Sequence, residues 1–86
     1  MIDLKKMIKE RTSTHGDYTA GARVMQTLKD VMMKEPGWQK LFPCQRESLH
    51  MFAHKIGRIL VGDPNLKDHW DDIAGYAKLA GDSCGL

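Results

Sequence analysis

The stretch PCQRESLHMFAHKIGRILVGDPNLKDHWDDIAGYAKL, Pro43–Leu79, decides the fold class. Along it apolar residues return at spacings of three and four: Leu49, Phe52, Ala53, Ile56, Ile59 and Leu60, then Trp70, Ile73, Ala74 and Ala77. That is the period of a helix with one buried face; no strand-like alternation occurs. The spacing predicts a third helix over about Gln45–Val61 and a fourth over about Leu66–Leu79. Pro43 suits the first turn of the third helix, where its missing N–H would have had no partner. Gly62 ends that helix, and Asp63-Pro64-Asn65 makes a tight turn with two side chains able to cap the next. A connection this short makes helices three and four antiparallel neighbours.

Toward the N-terminus, Ile2, Leu4, Met7 and Ile8 mark a short first helix that should fail near Ser13–Gly16. Gly16 can take a left-handed conformation, and Asp17 or Thr19 can cap the second helix. Ala20, Val24, Leu28, Val31 and Met32 form the stripe of that helix, which Pro36-Gly37 stops. Trp38, Leu41 and Phe42 follow in a segment too apolar for a bare linker, read as a packed connector or as a flap laid over the core. The last residues, GDSCGL (81–86), have nothing to pack against and should fray. The expected fold is all-α, a small four-helix bundle-like domain spanning 1–86.

Composition narrows the function. Apolar residues make up 42% and charged residues 28%, a globular balance rather than a disordered one. With 13 Lys+Arg against 11 Asp+Glu, the formal charge of +2 gives no reason to expect nucleic acid as a partner. No apolar run approaches the roughly 20 residues of a membrane span. The opening MIDLKKMIKER is amphipathic and lacks the apolar block of a secretory signal. Cys44 and Cys84 form no CxxC pair, which fits a reduced, cytoplasmic setting. A chain this small buries only about 60–65% of its unfolded surface. That size and the apolar Trp38–Phe42 segment lead us to expect a homodimer.

Helix three carries a second, charged stripe of Glu47, His50, His54 and Arg58, with Lys55 beside it. Helix four adds Asp68, Asp71 and Asp72, and Tyr76 continues the row. In one reading the bases pair with the aspartates and set the register of the two helices, Arg58 with Asp68 and Lys55 with Asp72. Structural ion pairs of this kind are common, and this reading is preferred. In the other, the carboxylates hold a divalent cation and the bases hold phosphate in a cleft. His50 and His54 have the i, i+4 spacing of a zinc pair, but Met51 stands where the HExxH motif needs its glutamate, and no third ligand is assured. His15, in Ser13–Tyr18, has a turn or capping role, and His69 reads as a solvated helix residue. Lys5, Lys6, Lys9 and Arg11 make a basic face with a weak claim to phosphate contact.

Three segments then act together: R-T-S-T-H-G-D-Y (Arg11–Tyr18), H-K-I-G-R-I-L-V-G-D-P (His54–Pro64) and K-D-H-W-D-D-I-A-G-Y-A-K-L-A (Lys67–Ala80). The combination resembles a family of small all-α proteins of unassigned function encoded by tailed phages and prophages. More remotely, the layout is similar to phage nucleotide-modification-associated domains and to MazG-like all-α NTP pyrophosphohydrolases. The remoter resemblance implies Mg²⁺ held by paired acids on neighbouring helices, cleavage of nucleoside triphosphates to monophosphates, and dimers or higher assemblies. Carried over, Asp68 and Asp72 would be the acidic pair of the later helix and Glu47 the surviving acid of the earlier one, whose second member falls on His50. The resulting expectation is a phage or prophage accessory protein in the host cytoplasm that binds or acts on nucleotides. Its metal candidates are Glu47, Asp68 and Asp72, with Mg²⁺ as the cofactor. The catalytic candidates are Glu47, Lys55 and Arg58, and the binding candidates Arg11, His15, Asp17, His50, His54 and Tyr76. Catalysis itself stays open. The alternative is a non-enzymatic module that binds a host or phage protein through its apolar flap.

Overall fold

Asp3 opens the chain's first helix by accepting the Lys6 N–H on its carboxylate at 3.1 Å. The computed structural model describes residues 2–84, and the regular structure among them is helical. It comprises α1 (Leu4–His15), α2 (Tyr18–Lys34), a 3₁₀ turn (Pro36–Lys40), α3 (Pro43–Val61) and α4 (Lys67–Asp82). Asp17, rather than Thr19, caps α2, accepting the Ala20 N–H at 2.9 Å. Pro43 occupies the first turn of α3, and the Gln45 side chain accepts the Phe42 N–H at 2.9 Å. The all-α, four-helix fold is the one expected from the periodicity.

α3 is the central element. Gly57 meets Met25 and the carbonyl of Gly21 on α2. Ser48 donates to the Tyr76 carbonyl on α4 at 3.4 Å, and Lys55 reaches Asp72 at 2.7 Å. The partner's number falls as that on α3 rises, so α3 and α4 are antiparallel. At about 100° per residue, Gly57 and Ser48 lie on opposite sides of α3. α2 and α4 therefore flank α3 in a single layer, and α1 lies against one face of that layer near the end of α3.

This layering changes which residues are covered. Among the described residues, Trp38 and Ala53 are the buried hydrophobic side chains. Val31, Ile56, Leu60 and Trp70, all read from the sequence as core, are exposed. His69, read as solvated, has only 1% of its surface exposed. The inward stripe of α4 runs through His69, Ile73, Tyr76 and Ala80, and Trp70 sits one residue off it, its indole N–H donating to the Pro64 carbonyl at 2.8 Å.

Of the two readings of the Trp38 segment, the packed connector is the one found. Trp38 is buried with its ring edge-on to His50 at 5.0 Å, and Arg46 donates to its carbonyl at 3.2 Å. α4 continues to Asp82, three residues past its expected end, helped by the Lys78–Asp82 pair one turn apart. Residues 85–86 of the expected frayed tail lie outside the described residues. Among the described residues, no helix is long and apolar enough to cross a membrane.

Candidate functional site

Two glycines set the geometry of the site. Gly16 follows α1 with φ +80°, and a Cβ there would overlap the Val61 carbonyl at the end of α3. Gly62 presses back: a Cβ on it would overlap the Thr14 carbonyl and the backbone of His15. Only glycine at both positions lets the two helix ends come this close. The approach is sealed by the Asp63 N–H donating to the Thr14 carbonyl at 3.0 Å. It fixes His15 over the layer, and the buried ring of His69 supports it from behind at 5.1 Å between centroids.

α1, α2 and α3 then enclose a cavity of about 360 Å³. Each helix contributes residues four apart: Met7, Arg11 and His15 from α1, Gly21 and Met25 from α2, and His54 and Arg58 from α3. Ile8, Thr12, Asp17 and Tyr18 complete the wall. A more open concavity of about 320 Å³ adjoins it, lined by Lys29, Glu47, His50, Met51 and His54, so that His54 belongs to both.

The cavity is cationic but its histidines are neutral. Burial lowers the pKa of His15, and the nearby Arg58, His69, Lys55 and Arg11 lower it further. Burial likewise lowers that of His54, followed by Arg58, Lys29, Lys55 and His15. Each ring can therefore donate one hydrogen bond and accept another at neutral pH. His15 Nδ1 is buried without a hydrogen-bond partner, as is His50 Nδ1. Among the described residues, neither Arg11 nor Arg58 is ion-paired.

The sequence-predicted residues thus divide. Arg11, His15, Asp17, His54 and Arg58 come together at the cavity; His50 and Glu47 lie at the adjoining concavity; Tyr76 packs toward α3, away from both. The Lys55–Asp72 pair forms as expected, and the hydrogen bond from Lys55 holds the Asp72 carboxyl below its usual range. The expected Arg58–Asp68 pair does not form. Arg58, three residues beyond Lys55, is turned about 60° away from it, into the cavity. Asp71 pairs instead with Lys67 in the first turns of α4. Met7, Ile8, Thr12, Gly16, Tyr18, Gly21 and Met25 were not among the expected site residues, although the spacing of four in Gly21–Met25 and His54–Arg58 is visible in the sequence.

The carboxylates expected to hold Mg²⁺ do not converge within the chain. Asp72 is engaged by Lys55, Asp68 is exposed in the first turn of α4, and Glu47 stands at the concavity beside Lys29. Among the described residues, no three His, Cys, Asp or Glu side chains are placed to share a metal ion. The residues present do not fit the expected Mg²⁺ site, and the His50–His54 pair gains no third ligand.

A family model described as Domain of unknown function (DUF6378) matches residues 2–84. The chain belongs to the DUF6378 family. The DUF6378 match takes in α1, α2 and α3 around the cavity as well as α4. No curated protein and no solved structure matches the chain.

Proposed function

We propose that this DUF6378 chain is a nucleotide-binding protein that takes its ligand in the α1–α2–α3 cavity. The phosphate would lie on Arg11 and Arg58, and the base against Met7, Ile8 and Met25. One observation carries the reading: His15, whose buried Nδ1 has no partner, lines the same small cavity as Arg11 and Arg58, neither of them paired with a carboxylate. Guanidinium groups offer forked donors suited to phosphate oxygens. The cavity volume lies near the lower end of the roughly 300–1,000 Å³ of small-molecule sites, which suits one mononucleotide.

Binding without hydrolysis is the form proposed, because the acids that would support Mg²⁺-dependent cleavage are apart. The phage or prophage origin proposed with it, and the host cytoplasm as its location, rest on the three sequence segments quoted above. An interaction module working through the Trp38 segment is less well supported, since Trp38 is buried within the chain.

Titration calorimetry with nucleoside mono-, di- and triphosphates, with and without Mg²⁺, tests the proposal. Saturable binding is expected, weakened on the order of ten- to a hundredfold in Arg58→Ala, as for loss of a hydrogen bond to a charged group. Asp68→Asn should bind as the parent does. No binding of any nucleotide at millimolar concentration, or an Arg58→Ala chain of undiminished affinity, would overturn it.

A further inference from the structure

Cys44 and Cys84 stand far apart in the sequence, and the antiparallel packing of α3 and α4 brings them to the same end of the layer. The register of that packing is set by Ser48, which donates to the Tyr76 carbonyl at 3.4 Å, and by Lys55, which pairs with Asp72. One turn from Ser48 toward the start of α3 lies Cys44, and one turn from Tyr76 toward the end of α4 lies Ala80. A step of four residues rotates only about 40° around a helix axis, so Cys44 keeps to the α4 side of α3, opposite Ala80.

Cys84 reaches the same point from beyond the end of α4. Its thiol donates to the Ala80 carbonyl at 3.3 Å and accepts from the Gln45 side-chain amide at 3.5 Å. Gln45 is the chain neighbour of Cys44 and is itself held by the Phe42 N–H at 2.9 Å. Cys84 Sγ therefore sits between the residue next to Cys44 and the residue opposite it. Both thiols are free and exposed. A disulfide asks for Cα atoms about 4.4–6.8 Å apart. Cys84 follows the last residue of α4, Asp82, so that adjustment falls on the turn after the helix and leaves α3 and α4 intact.

We propose that Cys44 and Cys84 form a reversible thiol–disulfide pair, a modification site whose co-substrate is a small disulfide such as glutathione disulfide. In the first exchange one cysteine thiolate attacks a glutathione sulfur; the S–S bond breaks, one glutathione thiolate leaves and a mixed disulfide forms. The second cysteine thiolate then attacks the protein-side sulfur and expels the other glutathione thiolate. The two cysteines lose two electrons and two protons, and the glutathione disulfide takes up both to become two thiols. The bond ties the start of α3 to the end of α4, and the proposal does not rest on the nucleotide reading.

Mass spectrometry of the full chain, equilibrated with glutathione disulfide and glutathione, tests this. The expected product is a single chain that has lost two hydrogens. Trypsin without reductant should release LFPCQR (41–46) joined to LAGDSCGL (79–86). Cys44→Ser and Cys84→Ser should each stop at the mixed disulfide and carry one glutathione. Closure should be at least about tenfold more favourable in the folded chain than in urea, because the fold raises the effective concentration of one thiol at the other. By the same linkage, the closed chain should withstand more urea than the reduced one. A parent that keeps two free thiols, or carries glutathione without the joined peptides, overturns the proposal. So does linkage between two chains in place of one, or closure no more favourable folded than unfolded.

Discussion

The ring of His15 lies 5.1 Å from that of His69, the first at the cavity wall and the second sealed behind it. His69 Nε2 stands 3.4 Å from the Thr14 carbonyl, so this one side chain fills the space under the α1–α2 corner. His69→Ala empties a fully buried site and should cost about 2–4 kcal/mol, in line with other large-to-small changes in cores. Urea denaturation checks it. A loss under about 0.5 kcal/mol, the range of ordinary surface substitutions, would show that His69 does not support the corner.

Acid should weaken the fold before it reaches the carboxylate range. His15 and His54 have lowered pKa values in the folded chain, so the unfolded chain takes up protons near pH 6.5 that the folded one resists. Stability should hold at pH 8 and decline as pH falls below about 6.5, until the folded values are passed. The urea midpoint at pH 5.5 should be lower than at pH 7.5, and the difference should shrink in a His15→Gln, His54→Gln chain. A midpoint that rises on acidification would contradict the burial argument.

Phosphate at Arg11 and Arg58 would reverse that electrostatic penalty, since an anion favours the charged imidazole. Binding of a nucleoside diphosphate should therefore take up protons and tighten between pH 8 and pH 6.5. Calorimetry in buffers of different ionisation enthalpy measures the uptake. Proton release beyond that of the ligand's own terminal phosphate, which ionises at about pH 6, would place the phosphate away from both histidines.

Asp72 should behave as a structural residue. Lys55 depresses its pKa, so the pair's contribution is present above the unfolded carboxyl value and is lost as pH falls through the lower folded value. Asp72→Asn should lower the melting temperature at pH 7, while the difference from the parent should vanish near pH 2. The same variant should keep its nucleotide affinity. A loss of affinity comparable to that of Arg58→Ala would move Asp72 into the binding site.

Helix existence, the α3–α4 antiparallel pairing and the Lys55–Asp72 contact were all readable because each depends on local period and a short turn. The side of each helix that is covered was not. α3 is flanked on two opposite sides, so small or polar Ser48, Lys55 and Gly57 are buried while Ile56 and Leu60 are left out. His69 is covered by the end of α1, 55 residues away in the chain, which no local pattern reports. At the site, five of the candidates do gather at one cavity. Their convergence depends on the corner at Gly16, and the same packing keeps Glu47 and Asp72 apart.

Gly16→Ala tests that corner. The backbone there is φ +80°, ψ −176°, a region open essentially to glycine alone and costing about 1–3 kcal/mol for other residues. The overlap with the Val61 carbonyl, which belongs to backbone and cannot step aside, adds to it. A total loss of about 3 kcal/mol or more is expected. Gly75→Ala, in open space on α4, should instead gain up to about 1 kcal/mol from helix propensity. Equal effects from the two changes would remove any special role for the corner.

α1 has no fully buried residue and is fastened to the layer chiefly at Thr14, His15 and Gly16. Its first two turns therefore open and close at lower free energy than the rest of the chain, and backbone amides there should exchange with solvent far faster than those in the middle of α3. Met7 and Arg11 lie on this stretch, so the outer wall of the cavity depends on how firmly α1 is held. Occupancy and docking would then share one free energy: a ligand bound as proposed between Arg11 and Arg58 should slow amide exchange from Lys5 to Arg11, and a change that loosens α1 should weaken capture without touching the arginines.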